Sequence, residues 1–153
     1  MVLTDIWETA LAVEDDLYDI IINRRINIDN FRQTGKLPHR IDITYSYQGD
    51  RKGMPQGSDH ELIAQMEERL KKCMEKDKLA ILTGSYLGGG HKYLVFYTRN
   101  IDVFFDRLND ALDDLPDLPL TFDEEYDPQW QAYDKVGLFD TLEIVDEEAN
   151  DEQ

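Results

Sequence analysis

Cysteine is almost missing from this chain: Cys73 is the only one among 153 residues. No internal disulfide can form, and no zinc site built from several cysteines exists. A reducing cytoplasm is the expected compartment. Cys73 falls on the apolar stripe of a predicted helix, so a small buried hydrophobe is expected there rather than a reactive thiol. Histidine is nearly as scarce. The spacing of His39, His60 and His91 does not suggest ligands of one metal, and no metal or other cofactor is expected. No apolar run approaches the ~20 residues of a membrane span. The opening Met1-Val2-Leu3-Thr4-Asp5 has neither a basic nor an apolar region of the secretory kind, so no signal peptide is expected. Basic residues are rarest in the last third. Residues 113–153 hold fifteen Asp or Glu and a single cation, Lys135. Residues 1–112 hold eighteen acids and fifteen bases, so most of the net charge of −17 lies in the last part. Phosphates are repelled by such a segment, which argues against nucleic acid or an anionic membrane as its main partner.

Catalytic signatures are absent too. Gly88-Gly89-Gly90 has no following Lys-Ser/Thr and joins two predicted strands, so it is a hairpin turn rather than a phosphate loop. The acidic runs Asp113-Asp114 and Asp123-Glu124-Glu125 lack the alternating ligands, central Gly and closing Glu of a calcium loop. With 33 acids, close carboxylate pairs carry no signal for acid–base chemistry. No Ser-His-Asp or Cys-His arrangement can be argued from the spacing. An enzyme is therefore not the first expectation.

What is present is a clear switching of hydrophobic period. Trp7, Thr9, Leu11 and Val13 alternate as in a strand, Glu14-Asp15-Asp16 is a polar turn, and Ile20-Ile21-Ile22 marks the return. Residues 7–23 are thus a predicted hairpin. A basic, irregular stretch follows to Pro38. Ile41, Ile43, Tyr45 and Tyr47 alternate with polar residues, the cleanest strand in the chain. Ser58-Asp59-His60-Glu61 reads as a capping box, with Leu62, Ile63, Met66, Leu70, Cys73 and Met74 at helical spacing behind it. Two strands, residues 79–87 and 91–98, flank the triple glycine. Asn100 then caps a second helix with Ile101, Phe104, Phe105, Leu108 and Leu112 on one stripe. Residues 120–125 form a last short strand, and Asp127-Pro128 opens a further helical turn.

From Ile41 the order is strand, helix, strand, strand, helix, strand. That is an α+β, ferredoxin-like βαββαβ sandwich over residues 41–125, extended by the 7–23 hairpin. The expected organisation is one domain over residues 1–145, with a closing segment at 127–145. Residues 146–153 are expected to be a disordered acidic tail.

Two groups of side chains are candidate binding residues. Arg24, Arg25, Arg32, Lys36, His39 and Arg40 form the basic section of an acidic chain. They can hold an anionic ligand, or they can neutralise the chain's own acids, which is the preferred reading. Trp130 and Tyr133 can stack on a ligand, but such residues more often anchor a terminal helix to a core.

Five segments together resemble an uncharacterised bacterial family known only as a domain of unknown function. They are Trp7-Glu8-Thr9-Ala10, His39-Arg40-Ile41-Asp42-Ile43, Gly53-Met54-Pro55, Phe96-Tyr97-Thr98 and the closing Asp127-Pro128-Gln129-Trp130-Gln131-Ala132-Tyr133. The resemblance spans residues 7–133. Domains of that family are similar to the regulator of ribonuclease E activity B, an acidic protein that binds and inhibits a ribonuclease. The resemblance implies a ferredoxin-like fold and brings no catalytic residues with it.

The leading expectation is a non-enzymatic binding or regulatory protein that engages a basic protein surface. The alternative is a small-molecule anion binder or enzyme using residues 24–40. Assembly is expected to be a monomer or a symmetric dimer. In the 91–98 strand, Tyr93, Val95 and Tyr97 lie on one face and Leu94 and Phe96 on the other. A sheet with helices on one side only should be more polar on its outer face. Something is therefore expected to cover that face: residues 130–145 in preference to a second copy of the chain.

Overall fold

The computed structural model describes residues 1–14 and 18–136. The expected tail at 146–153 and the distal part of the closing segment lie outside them. Among the described residues the architecture is mixed α and β: one six-stranded antiparallel sheet with four helices. In chain order the elements are β1 (Ile6–Glu14), β2 (Tyr18–Ile26), α1 (Asp29–Gln33), β3 (His39–Ser46) and α2 (Ser58–Glu75). There follow β4 (Ala80–Gly88), β5 (His91–Thr98), α3 (Ile101–Leu112), β6 (Leu120–Tyr126) and α4 (Gln131–Val136). The strands lie in the order β1-β2-β4-β5-β3-β6, every pair antiparallel. The chain therefore crosses over a strand between β3 and β4, and again between β5 and β6. The N-terminal hairpin adds to the β4 edge, with Ile21 to Arg24 opposite Leu87 to Gly84.

Strand alternation decides what each face carries. On one face Ile41, Ile43, Tyr45, Ala80, Leu82, Leu94 and Phe96 meet Ile63, Met66, Leu70 and Met74 of α2 and Phe104 and Leu108 of α3. On the other face Ile81, Val95 and Tyr97 meet Ile28, Phe31 and Leu37 from the α1 region and Trp130 and Tyr133 from the α4 region. The second face is thus covered at one end by chain before β3 and after β6. Of the segment expected to do this, Trp130 and Tyr133 are described and buried.

Three local expectations need correction. β2 runs to Ile26, so Arg24 and Arg25 are strand residues, held by pairing of Trp7 with Arg25 and Ile6 with Ile26. The stretch taken as irregular contains α1, formed because Ile28 and Phe31 find an apolar seat on the sheet. The capping box does not form. The chain enters α2 through Gly57 at φ 57°, which suits glycine, so Ser58 is already helical and no side chain caps the end. Asp59 instead accepts a 2.6 Å hydrogen bond from Tyr45 Oη. The Asn100 cap forms as expected, accepting from Val103 N at 3.0 Å.

Candidate functional site

The basic residues do not converge on one pocket, because Arg24 and Arg25 are neighbours in a strand and project to opposite faces. Arg25 reaches the α2 side. Its Nη1 donates to Glu75 Oε2 at 2.7 Å and to Leu82 O at 3.1 Å, and its Nε to Thr4 O at 2.8 Å. Arg24 lies on the α4 side, its guanidinium 4.1 Å over the Tyr133 ring and 3.8 Å from Glu8. Arg32 forms a bidentate pair with Asp134. Arg40 is shared by Glu125 at 2.8 Å, Asp42 at 3.2 Å and Asp127 at 3.7 Å. His39 sits beside Tyr126 in a shallow hollow with Arg99, Asn100 and Glu124. Arg24, Arg25, Arg32 and Arg40 are thus all engaged by acids or aromatic rings of the same chain.

Trp130 and Tyr133 act as the lid of the second core. Trp130 stacks on Tyr97 at 4.6 Å, and its Nε1 donates to Leu37 O at 2.9 Å. Tyr133 Oη donates to Arg25 O at 2.6 Å. Asp127 organises the turn between β6 and α4. It accepts from Tyr97 Oη at 2.7 Å, Gln131 N at 2.8 Å and Ala132 N at 3.1 Å. Burial alone would raise its pKa, but those hydrogen bonds and the Arg40 charge outweigh burial and lower it.

Beyond the lid the same sheet face opens into a cleft of about 640 Å³. One wall is apolar and aromatic: Ile20, Tyr86, Tyr93 and Val95. The other is polar: Asp42 and Thr44 of β3 and Asp123 of β6. Gly88, Gly89 and His91 close the hairpin end, and Ala132 and Lys135 form the rim beneath α4. Tyr86 and Tyr93 meet edge to face at 6.3 Å, and Tyr93 is 37% exposed. Asp42 and Asp123 are directly opposed across the β3–β6 ladder. Burial is the main reason that the Asp42 carboxyl is raised above its ordinary value; Arg40 opposes the shift, while Asp123 and Glu125 add to it. Tyr86 is likewise pushed up by burial, and then by the Asp42 charge. Asp42 Oδ1 is buried without a hydrogen bond among the described residues, held 3.2 Å from Arg40 Nε as an ion pair.

Chemically, this is a surface that favours positive charge beside an aromatic wall. Among the described residues no three His, Cys, Asp or Glu side chains gather as a metal group. No helix of the described residues is long and apolar enough to cross a membrane.

A family model whose description is Family of unknown function (DUF695) matches residues 5–136. The chain belongs to that family. The DUF695 match runs from β1 to the end of α4, so the lid and the cleft both lie within it. No curated protein and no solved structure matches. Nothing in these comparisons links the DUF695 chain to the regulator of ribonuclease E activity B.

Reading the sequence for candidate sites picked out the basic section and the closing aromatics and missed Asp42, Thr44, Tyr86, Tyr93 and Asp123. The signal was partial. Asp42 and Thr44 fall on the polar parity of β3, and Tyr93 and Val95 on the less expected apolar parity of β5. That these parities share a face, and that Asp123 stands opposite Asp42, depends on a strand order no local pattern encodes.

Proposed function

We propose that this protein is a non-enzymatic binding or regulatory protein that engages a basic protein surface, in a reducing cytoplasm. The observation that carries the reading is the edge strand β6, where Thr121 to Tyr126 are exposed in unbroken succession and the consecutive acids Asp123, Glu124 and Glu125 charge both of its faces. Arg40 is the only cation salt-bridged to this run among the described residues. A charged edge also guards against unwanted strand pairing. The further acids after β6 extend the same sign of charge well beyond what an edge guard needs. Complementary charge would speed association and make it salt-sensitive.

We read residues 41–125 as a ferredoxin-like unit within the larger sheet. The order β4-β5-β3-β6, with α2 and α3 on one face, supports that reading. The resemblance to the regulator of ribonuclease E activity B, which the comparisons do not show, implies the same class of role. An anion site at residues 24–40 has less support, because its arginines already hold Glu8, Glu75, Asp134, Glu125 and Asp127.

The test is affinity capture from source-cell extract on the immobilised full chain, at low and at high salt. A variant carrying Asp123→Asn, Glu124→Gln and Glu125→Gln runs beside it. The expected result is a basic protein retained at low salt, released at high salt and weakly held by the variant. Recovery of no partner at either salt would count heavily against the proposal.

A further inference from the structure

We propose that the cleft between Tyr86, Tyr93, Asp42 and Asp123 is the seat for an arginine side chain presented by the basic partner. The inference rests on the binding role proposed above and names where and how that partner is gripped.

Three features of the cleft specify the occupant. The first is an unfavourable placement of charge. Asp42 and Asp123 are cross-strand neighbours, which sets their Cβ atoms about 4.5–5.5 Å apart, and like charges so placed destabilise a sheet. Arg40 does not resolve this, since it is divided among Asp42, Glu125 and Asp127. The cleft itself is lined by two carboxylates, Asp42 and Asp123, against one cation, the rim residue Lys135. A further cation relieves the imbalance, and a planar guanidinium can bridge two neighbouring carboxylates.

The second feature is the opposite wall. Tyr86 and Tyr93 offer ring surface, and Ile20 and Val95 extend it with aliphatic surface. A guanidinium stacks on tyrosine, and its methylene stem packs on apolar groups. A metal ion gains little from that wall, and a lysine ammonium gains from it but lacks the planar fork that spans two carboxylates.

The third concerns where the cation comes from. α4 ends at Val136, next to the rim residue Lys135, and residues 137–153 contain no Lys or Arg. A second copy of the chain brings its own charge of −17. The charge of the cleft therefore selects a basic partner over the chain's own tail or a symmetric dimer.

The test is an NMR titration of the ¹⁵N-labelled full chain with N-acetyl-arginine amide, and with the uncharged isostere N-acetyl-citrulline amide. The expected result is a set of amide shifts confined to Asp42, Thr44, Tyr86, Tyr93 and Asp123 with the arginine probe, and little with citrulline. Asp123→Asn and Tyr93→Ala, both at exposed positions, should each weaken binding about threefold to tenfold. Asp42 also holds Arg40, so it is left intact. Equal binding of both probes would overturn the inference. So would shifts spread over the acidic surface, unchanged affinity in both variants, or no shifts in the cleft because other residues already fill it. Capture on the full chain separates the two proposals. A basic partner retained equally by the Tyr93→Ala variant leaves the binding role standing and removes the cleft from it. Arginine binding in the cleft, with no partner retained at any salt, does the reverse.

Discussion

Arg25 and Glu75 form a buried ion pair at 2.7 Å that fills a gap in the sheet ladder. Pairing of β2 with β4 ends at Arg24 and Gly84, where a bulge between Leu82 and Gly84 shifts the β4–β5 register. Leu82 therefore lacks a strand partner on its β2 side. Glu75 Oε2 accepts from Leu82 N at 2.9 Å, and Arg25 Nη1 donates to Leu82 O at 3.1 Å. The two side chains take the place of the missing strand and tie the N-terminal hairpin to α2. Glu75 is the last residue of α2, where helix charge disfavours an acid, so this pairing explains its position.

Glu75→Leu should consequently be far more harmful than its surface-like sequence context suggests. It strands a buried guanidinium and the Leu82 amide together. Breaking a buried pair on one side costs about 3–5 kcal/mol. The double change Arg25→Met with Glu75→Gln should recover much of that loss, because glutamine still accepts from Leu82 N. Urea midpoints of the three proteins check the order; equal midpoints for Glu75→Leu and the wild type would refute it.

Trp130→Ala should cost about 3–5 kcal/mol, the range for truncating a fully buried aromatic. It removes the stack on Tyr97 and leaves Leu37 O without its donor. The loss should fall first on the lid. Hydrogen exchange should speed up at residues 28–37 and 131–136 before the α2 and α3 core opens. Uniform acceleration across the sheet would show that the two faces unfold as one unit.

How legible this protein was depends on the range of the interaction concerned. The parity of Ile41 to Tyr47, the stripe of α2 and the Asn100 cap were readable, because each is set by residues within a few positions. The closing aromatics were readable as an anchor from their residue types alone, although their seats on Tyr97, Leu37 and Arg25 are distant in sequence. The α1 helix was not, because five residues make a helix only with Phe31 buried in the second core, among residues distant in sequence. The basic section looked like one patch in sequence. Strand alternation divides Arg24 from Arg25, and partners as distant as Glu75 and Asp127 decide where the charges are used. The cleft assembles residues from β2, β3, β4, β5, β6 and α4, so no window of the sequence contains it.

Gly88→Ala should disturb the hairpin end of the cleft. Gly88 has φ 148°, a conformation side chains rarely adopt, and an added Cβ would run into Asp19 O and the backbone and side chain of Ile20. The strain should cost about 1–3 kcal/mol. Because Gly88 and Ile20 both line the cleft, amide shifts should extend to Tyr86 and Tyr93. A melting temperature within a degree of wild type would mean that β2 can move aside without penalty.

Acid sensitivity should centre on Asp127. Its folded pKa lies below the ordinary value of 3.8, because donors from Tyr97, Gln131 and Ala132 and the Arg40 charge together outweigh burial. For a depressed carboxyl the stabilisation is fully present above the unfolded value and is lost as pH falls through the folded one. Asp42 has the opposite sign. Burial raises its pKa, so its contribution is present at low pH and fades as pH rises through the folded value. Asp127→Asn should therefore lower stability at pH 7 by about 1–3 kcal/mol, the scale of hydrogen bonds to a charged group. It should also flatten the fall in melting temperature below pH 4. Most of the loss should appear at the β6–α4 turn, where Arg40 would keep only Asp42 and Glu125. If the variant keeps the wild-type slope below pH 4, the acid response comes from other carboxylates. Asp77, held down to about 2 chiefly by Arg107, is then the next position to neutralise.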